Sequence, residues 1–250
     1  MLKTADSEAL REFCSRDAFG TKILGYSLAY PSDVSSAQFW VQENGGEITA
    51  AVARVYGTAV LSASDSADFE ELGEFLKMIG FYTLSLDQSV CERLGLTPSR
   101  TGNIVRFNGL PKPLAGAAKL PRFPDLREVF ELLVRSGFDR LGEKNEWIAD
   151  VSRRMNRGVS QWSIIEQKEL TVACACVLFI TDSAAFLGCV AADETLRGRG
   201  LGSEAVLTVA DKYKREGKRV ELFCKDGSIV DFYKKSGFSP VGRWAEYDNE

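Results

Sequence analysis

The sequence predicts a mixed α/β protein of 250 residues that uses one plan twice. Two observations carry this. The first is order: three strand-like runs, an amphipathic helix, a strand, a short helix and a closing strand run through residues 38–107, and the same order returns from 161 onward. The second is local likeness. "RLGLTP" (93–98) matches "KSGFSP" (235–240) in spacing, and "FWVQENGGEIT" (39–49) resembles "QWSIIEQKELT" (161–171). A supersecondary order that recurs with matching punctuation reads as a diverged internal duplication.

Each element has a local reason. "DSEALREFCSRD" (6–17) has an Asp/Ser helix start, and a second helical stretch follows that "YPSD" (30–33) ends. Residues 38–64 give three strand-like runs, split by Asn44-Gly45-Gly46, a hairpin signal, and by Tyr56-Gly57. "DFEELGEFLKMIG" (68–80) puts Phe69, Leu72, Phe75 and Leu76 on one face, with acids in its first turn and Gly80 as its stop. A strand (81–87), a short helix (88–95) and "LTPSRTGNIVRF" (96–107) complete the first copy.

"NGLPKPLAGAAKLPRFP" (108–124), with four prolines and two glycines, reads as a linker. Helices at 125–138 and 145–158 precede strands at 161–167, 169–181 and 184–192. A glycine loop, "LRGRGLGS" (196–203), leads into a helix over 203–218 with Val206, Val209, Ala210 and Tyr213 as its core face. A strand (219–224), a helix (227–237) and a closing strand from Phe238 follow.

Composition narrows the function. The chain is 45% hydrophobic and 26% charged, as soluble globular proteins are. Residues 1–112 hold 10 cations against 14 acids and residues 113–250 hold 21 of each, so neither half has the basic excess of a nucleic-acid binder. There is no histidine, which removes every Ser-His or Cys-His catalytic arrangement and the usual general base. The six cysteines form no CxxC pair and read as buried reduced thiols; no metal site is expected. The first 30 residues lack a signal-peptide core, and the longest apolar run, "VACACVLFI" (172–180), is too short to span a bilayer. A cytoplasmic protein with no membrane partner is expected.

The junction at 196–203 asks for a ligand. A helix start leaves backbone N–H groups unpaired and carries partial positive charge, which suits an anion. Glycines let several N–H groups converge on it, and Arg197 and Arg199 can add charge-assisted bonds. The spacing is neither GxxxxGK[ST] nor GxGxxG. In the first copy the same junction, "SASDSADFE" (62–70), has no glycine and no arginine, and the acids Asp65, Asp68, Glu70 and Glu71 would repel a diphosphate.

Arg197-Gly198-Arg199-Gly200-Leu201-Gly202 matches the (Gln/Arg)-x-x-Gly-x-(Gly/Ala) signature of the GNAT superfamily of N-acyltransferases, and "DFYKKSGF" (231–238) resembles the helix end near those enzymes' C-termini. The resemblance covers about residues 125–245. It implies two GNAT-like domains, each a mostly antiparallel mixed sheet with helices on both faces and a splayed parallel strand pair. Residues 1–112 would be a degenerate N-terminal copy, 113–124 a linker and 125–250 the acetyltransferase domain.

The resemblance further implies acetyl-CoA (CoA) as cosubstrate. Val190, Ala191 and Ala192 would pair with its pantetheine arm, and the amides of Gly198, Arg199, Gly200, Leu201, Gly202 and Ser203 would take its pyrophosphate beside Arg197. Asp226 occupies a position where the family often has Asn, and an ionised Asp cannot donate. Lys235 is a further candidate for a cofactor phosphate. Tyr233 matches the family's tyrosine and would protonate the departing thiolate. With no histidine, the base falls to a carboxylate, Glu194 with Asp193 behind it, or to a water chain. A free Glu has a pKa of about 4.3 and needs burial to become a useful base. The acceptor expected is a primary amine on a small molecule rather than a protein, with no nucleic acid involved and a monomer or homodimer as the assembly. The alternative is a catalytically silent CoA-binding regulatory module.

Overall fold

The structure is a computed structural model, and it describes residues 1–30 and 36–249. The helix stop expected at 30–33 therefore lies outside the described residues beyond Tyr30. The chain forms two compact units. The first comprises Met1–Val105, Phe223–Val230 and Pro240–Glu250; the second comprises Arg106–Leu222 and Asp231–Ser239.

The first unit runs β1 (Leu2–Thr4), α1 (Ser7–Cys14), α2 (Ala18–Ala29), β2 (Ala37–Asn44), β3 (Glu47–Val55), β4 (Thr58–Ala63), α3 (Phe69–Ile79), β5 (Thr83–Asp87), α4 (Gln88–Arg93) and most of β6 (Arg100–Phe107). Strands β1 to β4 pair antiparallel in sequence, and β4 pairs parallel with β5. Aspartates cap the helix starts: Asp6 accepts from Glu8 and Ala9 N–H, Asp17 from Gly20 and Asp68 from Glu71. Helix α3 buries Leu72 and Leu76 against Val52, Leu61, Leu84 and Leu86, all 4% exposed or less. Truncating Leu72 to Ala would cost roughly 2–5 kcal/mol.

The second unit has α5 (Leu126–Arg135), α6 (Lys144–Asn156), β7 (Gln161–Gln167), β8 (Leu170–Ile180), β9 (Ala184–Ala192), α7 (Leu201–Arg215) and β10 (Arg219–Cys224). Strands β7, β8 and β9 pair antiparallel, and β9 pairs parallel with β10. Val206, Val209, Ala210 and Tyr213 form the buried face of α7, as its periodicity predicts. Phe130, Trp147 and Trp162 stack edge to face at 5.4 and 5.9 Å, which makes both tryptophans part of the core. The last elements are α8 (Ser228–Lys235) and β11 (Phe238–Asp248).

The duplication is visible down to single residues. Both copies order three antiparallel strands, a helix, a parallel strand, a short helix and a closing strand. The first hairpin of each has a register shift just before its turn, at Gln42/Glu43 and at Ile165/Glu166. Each turn then holds two residues at positive φ: Gly45 and Gly46 at 62° and 86°, Lys168 and Glu169 at 50° and 65°. Gly95 and Gly237, the glycines of the two matching hexapeptides, both stand at positive φ after a helix.

The compact units do not follow the sequence copies. Boundaries at 112 and 125 fall inside the second unit, which starts at Arg106. The end of β11 lies in the first unit, where Trp244–Asp248 pairs antiparallel with Asp87–Thr83 of β5. A free β5 edge needs a partner for its backbone groups, and pattern alone does not reveal which strand supplies it. Phe223 stacks on Trp244 at 5.8 Å in the same unit, and Trp244 Nε1 donates to the Cys224 carbonyl at 3.1 Å.

The β7–β8 turn yields a stability test. Lys168 and Glu169 sit where the first copy has glycines, and a side chain in the left-handed region costs about 1 kcal/mol. Glu169→Gly is expected to raise Tm by about 2–4 °C. A fall in Tm on thermal melting would show that the Glu169 side chain stabilises the turn.

Candidate functional site

The site grows from the end of β9. The β9–β10 ladder runs from Ala184/Arg219 to Leu187/Leu222, whereas β9 continues to Ala192. Beyond that point β9 carries a bulge: between the pairs Cys176/Gly188 and Cys174/Ala191 it has one residue more than β8, and Cys189 stands at φ 50°. A bulge turns and twists its strand, so β9 departs from β10 where the ladder stops. Val190 and Ala192 are half-buried and Ala191 is 5% exposed.

After Ala192 the chain makes a 3₁₀ turn, Glu194–Leu196, capped by Asp193, whose carboxylate accepts from Thr195 N–H at 3.0 Å and Thr195 Oγ1 at 2.6 Å. These bonds hold Asp193 below its ordinary pKa. Gly198 and Gly200 both adopt φ 80°, and Gly200 is the N-cap of α7. No side chain caps this helix, in contrast with α1, α2, α3 and α5. Gly202 lets α7 start close to β9: a Cβ there would lie 3.8 Å from that of Ala192.

The proline segment is part of this site. Asn108 N–H donates to the Gly237 carbonyl at 2.9 Å, and Asn108 Nδ2 to Ser239 Oγ at 3.0 Å. A Cβ on Gly237 would meet the Gly109 carbonyl at 2.2 Å, so only glycine admits the chain there. Further along, the Glu204 carboxylate accepts from the N–H groups of Ala115, Gly116 and Ala117 at 3.1, 2.7 and 3.3 Å. Lys119 then exchanges two backbone hydrogen bonds with Ile164 on β7. Residues 108–119 thus form a strap fixed at three places, where composition alone suggested a linker.

Strap, loop and helices enclose a cavity of about 490 Å³, lined by Lys112, Arg199, Gly200, Ser203, Glu204 and Lys235 among others. Its volume lies within the range of small-ligand sites. The uncapped amides, two left-handed glycines and three cations fit a phosphorylated ligand.

The other expected residues are placed as follows. Tyr233 on α8 is 7% exposed and packs edge to face on Phe232 at 5.0 Å and Phe238 at 5.4 Å. Arg197 pairs with Glu194 at 2.9 Å, and the Glu194 side chain is 65% exposed. Glu194 is thus a solvent-exposed carboxylate, not a buried one. Asp226 lies in the first unit, where Arg243 holds it at 3.0 and 3.2 Å and Asn103 Nδ2 donates to it. Arg243 lowers its pKa. The Asp226 carboxylate is thus already engaged by these donors. Burial pushes Cys189 up to about 11 and Cys174 well above its ordinary value, so neither supplies a thiolate.

Sequence reasoning missed Lys112 and Glu204. The prolines of "PKP" stiffen that segment, because Pro fixes its own φ and restricts the residue before it. Nothing in the pattern tied that segment to Glu204.

Residues 126–238 match the family described as Acetyltransferase (GNAT) family. That segment, a little under half of the chain, is similar to the GNAT family. An amino-acid acetyltransferase of Pseudomonas aeruginosa is 27% identical over 125 residues, and one of Pseudomonas putida is 24% identical over 127. Each match covers 46% of this chain and 29% of the relative, so the chain spans less than a third of the curated relatives it matches. Among solved structures, a tandem GNAT protein from the clavulanic acid biosynthesis pathway aligns with 100% of this chain and 98% of its own, at TM-score 0.61 and 14% identity. A GCN5-related N-acetyltransferase from Sphaerobacter thermophilus aligns with 100% and 95%, at TM-score 0.61 and 16% identity. These two likenesses establish the fold.

Two glycines give the test of the loop geometry. Gly200→Ala places a side chain at φ 80° and should cost about 1–2 kcal/mol, a fall of about 2–4 °C in Tm per kcal/mol. Gly202→Ala meets only an ordinary contact and should melt at or above the wild-type temperature. Equal melting temperatures for the two variants would contradict the left-handed cap.

Proposed function

We propose that this protein is an acetyl-CoA-dependent N-acetyltransferase that acylates a primary amine by direct attack. One observation carries the reading: the N-terminus of α7, capped by no side chain, opens onto a cation-lined cavity at the end of a strand that has left its parallel neighbour. The amides from Gly198 to Ser203 would hold the pyrophosphate, with Arg199 neutralising it and Lys235 free for another phosphate of the cosubstrate. The backbone of Val190, Ala191 and Ala192 would pair with the pantetheine amides as an added strand does. The bound cosubstrate supplies an activated thioester.

Three tasks fall to the protein. It orients the thioester at the open edge of β9. It protonates the departing sulfur, the role we assign to Tyr233. It lets the acceptor ammonium lose a proton, and we assign that exchange to the solvent-exposed Glu194 acting through water. The acceptor class to test first is amino acids, because the curated relatives are named amino-acid acetyltransferases. Residues 1–112 act as a degenerate copy that binds no CoA at its own junction, since Asp68 already fills the start of α3. All six cysteines are free, which suits the reducing cytoplasm. Among the described residues no helix is long and apolar enough to cross a membrane.

One observation favours a second reading, a catalytically silent CoA-binding module: Asp193 is held by Thr195 and Glu194 is exposed, so neither candidate base is buried.

Thermal shift and turnover separate the readings. Acetyl-CoA at 100 times its Kd should add about 2.7 kcal/mol, a rise of several degrees in Tm, absent in Gly200→Glu. Amine-dependent CoA release marks the enzyme, and Tyr233→Phe should lower kcat about a hundredfold or more with binding kept. Binding without release for any amino acid or small amine would support the silent module.

A further inference from the structure

The cavity beside α7 carries more positive charge than a diphosphate at the glycine loop requires. Three cationic side chains line it, Lys112, Arg199 and Lys235, against one acid, Glu204. That acid is already taken up: its two oxygens accept three N–H groups of the strap. Arg197, the other cation of the loop, is paired with Glu194. Among the described residues Lys112, Arg199 and Lys235 form no ion pair. Arg199 belongs to the loop itself. Lys112 and Lys235 come from elsewhere, the first from the strap and the second from the last turn of α8.

Lys112 is also held where it stands. Pro113 restricts its backbone to extended conformations, and Pro111 before it has a fixed φ of its own. The strap is tied before it by Asn108 to Gly237 and after it by Glu204 to Ala115–Ala117. A cation on a backbone fixed at both ends loses less freedom on binding than one on a free loop.

We propose that Lys112 and Lys235 recognise the phosphomonoester on the ribose of the cosubstrate, so that the site selects CoA over its 3′-dephospho form. The inference rests on the CoA-binding reading above. Its chemistry is charge: the diphosphate meets loop amides, whereas a phosphomonoester carries close to two negative charges at neutral pH and needs cations of its own. The strap thereby becomes a specificity element of the site, held in place by Glu204.

Isothermal titration of CoA and of 3′-dephospho-CoA into the full chain tests this. Wild type should bind CoA roughly tenfold tighter than dephospho-CoA. Lys112→Ala should lose most of that preference while its Kd for dephospho-CoA stays within about twofold. Lys119→Ala, on the same strap but paired with Glu166, should keep the wild-type preference. Three results would overturn the proposal: a wild type that binds both compounds equally, a Lys112→Ala that weakens both equally, or a Lys119→Ala that matches Lys112→Ala. A folded wild type that binds neither compound would instead overturn the CoA reading on which the proposal stands.

Discussion

A helix start exposes N–H groups that something must satisfy, and this constraint divides the two copies. At α3 the partner is internal. Asp68 accepts from Glu71 N–H, and Gln42 Oε1 accepts from Asp68 N–H. At α7 the cap is Gly200 with no side chain to offer. One duplicated junction is thus closed by its own sequence and the other is open to an anion. The glycines, the cations and the strap are arranged around the open one.

Strand geometry makes that opening useful. In both copies the parallel ladder ends before its strands do: β4 pairs with β5 only as far as Val60, and β9 with β10 only as far as Leu187. In the second copy β9 also carries the Cys189 bulge, which twists a strand. Backbone groups beyond that point can pair with an extended ligand. Small residues there, Ala191, Ala192 and Gly202, let strand and helix approach closely. In the proposed function, a parallel pair that separates at a helix start joins an edge for the pantetheine amides to an end for the phosphates.

Much of this was legible in the sequence because it is local. Periodicity located α3 and α7, and Asn44-Gly45-Gly46 located a hairpin. The matching hexapeptides located the duplication, since each contains a glycine that the backbone holds at positive φ. The Lys168-Glu169 turn was readable only through its likeness to the first copy, because neither residue is a turn former. What stayed hidden is long-range. Composition shows that residues 108–124 are rich in proline, but not that Glu204, far along the chain, collects three of their N–H groups. It shows Asp226 after a strand, but not that Arg243 and Asn103 claim it. It shows Glu194 beside the loop, but not whether it is buried. Pairing of the β11 end with β5 is of the same kind.

The central claim is that one of the two junctions binds CoA and the other does not. Its most direct test is the stoichiometry of CoA binding to the intact chain, read by isothermal titration against a measured active concentration. The account predicts one CoA per chain, with Gly200→Glu binding none. Two per chain, or one that survives Gly200→Glu, would place a cofactor outside the α7 junction and contradict it.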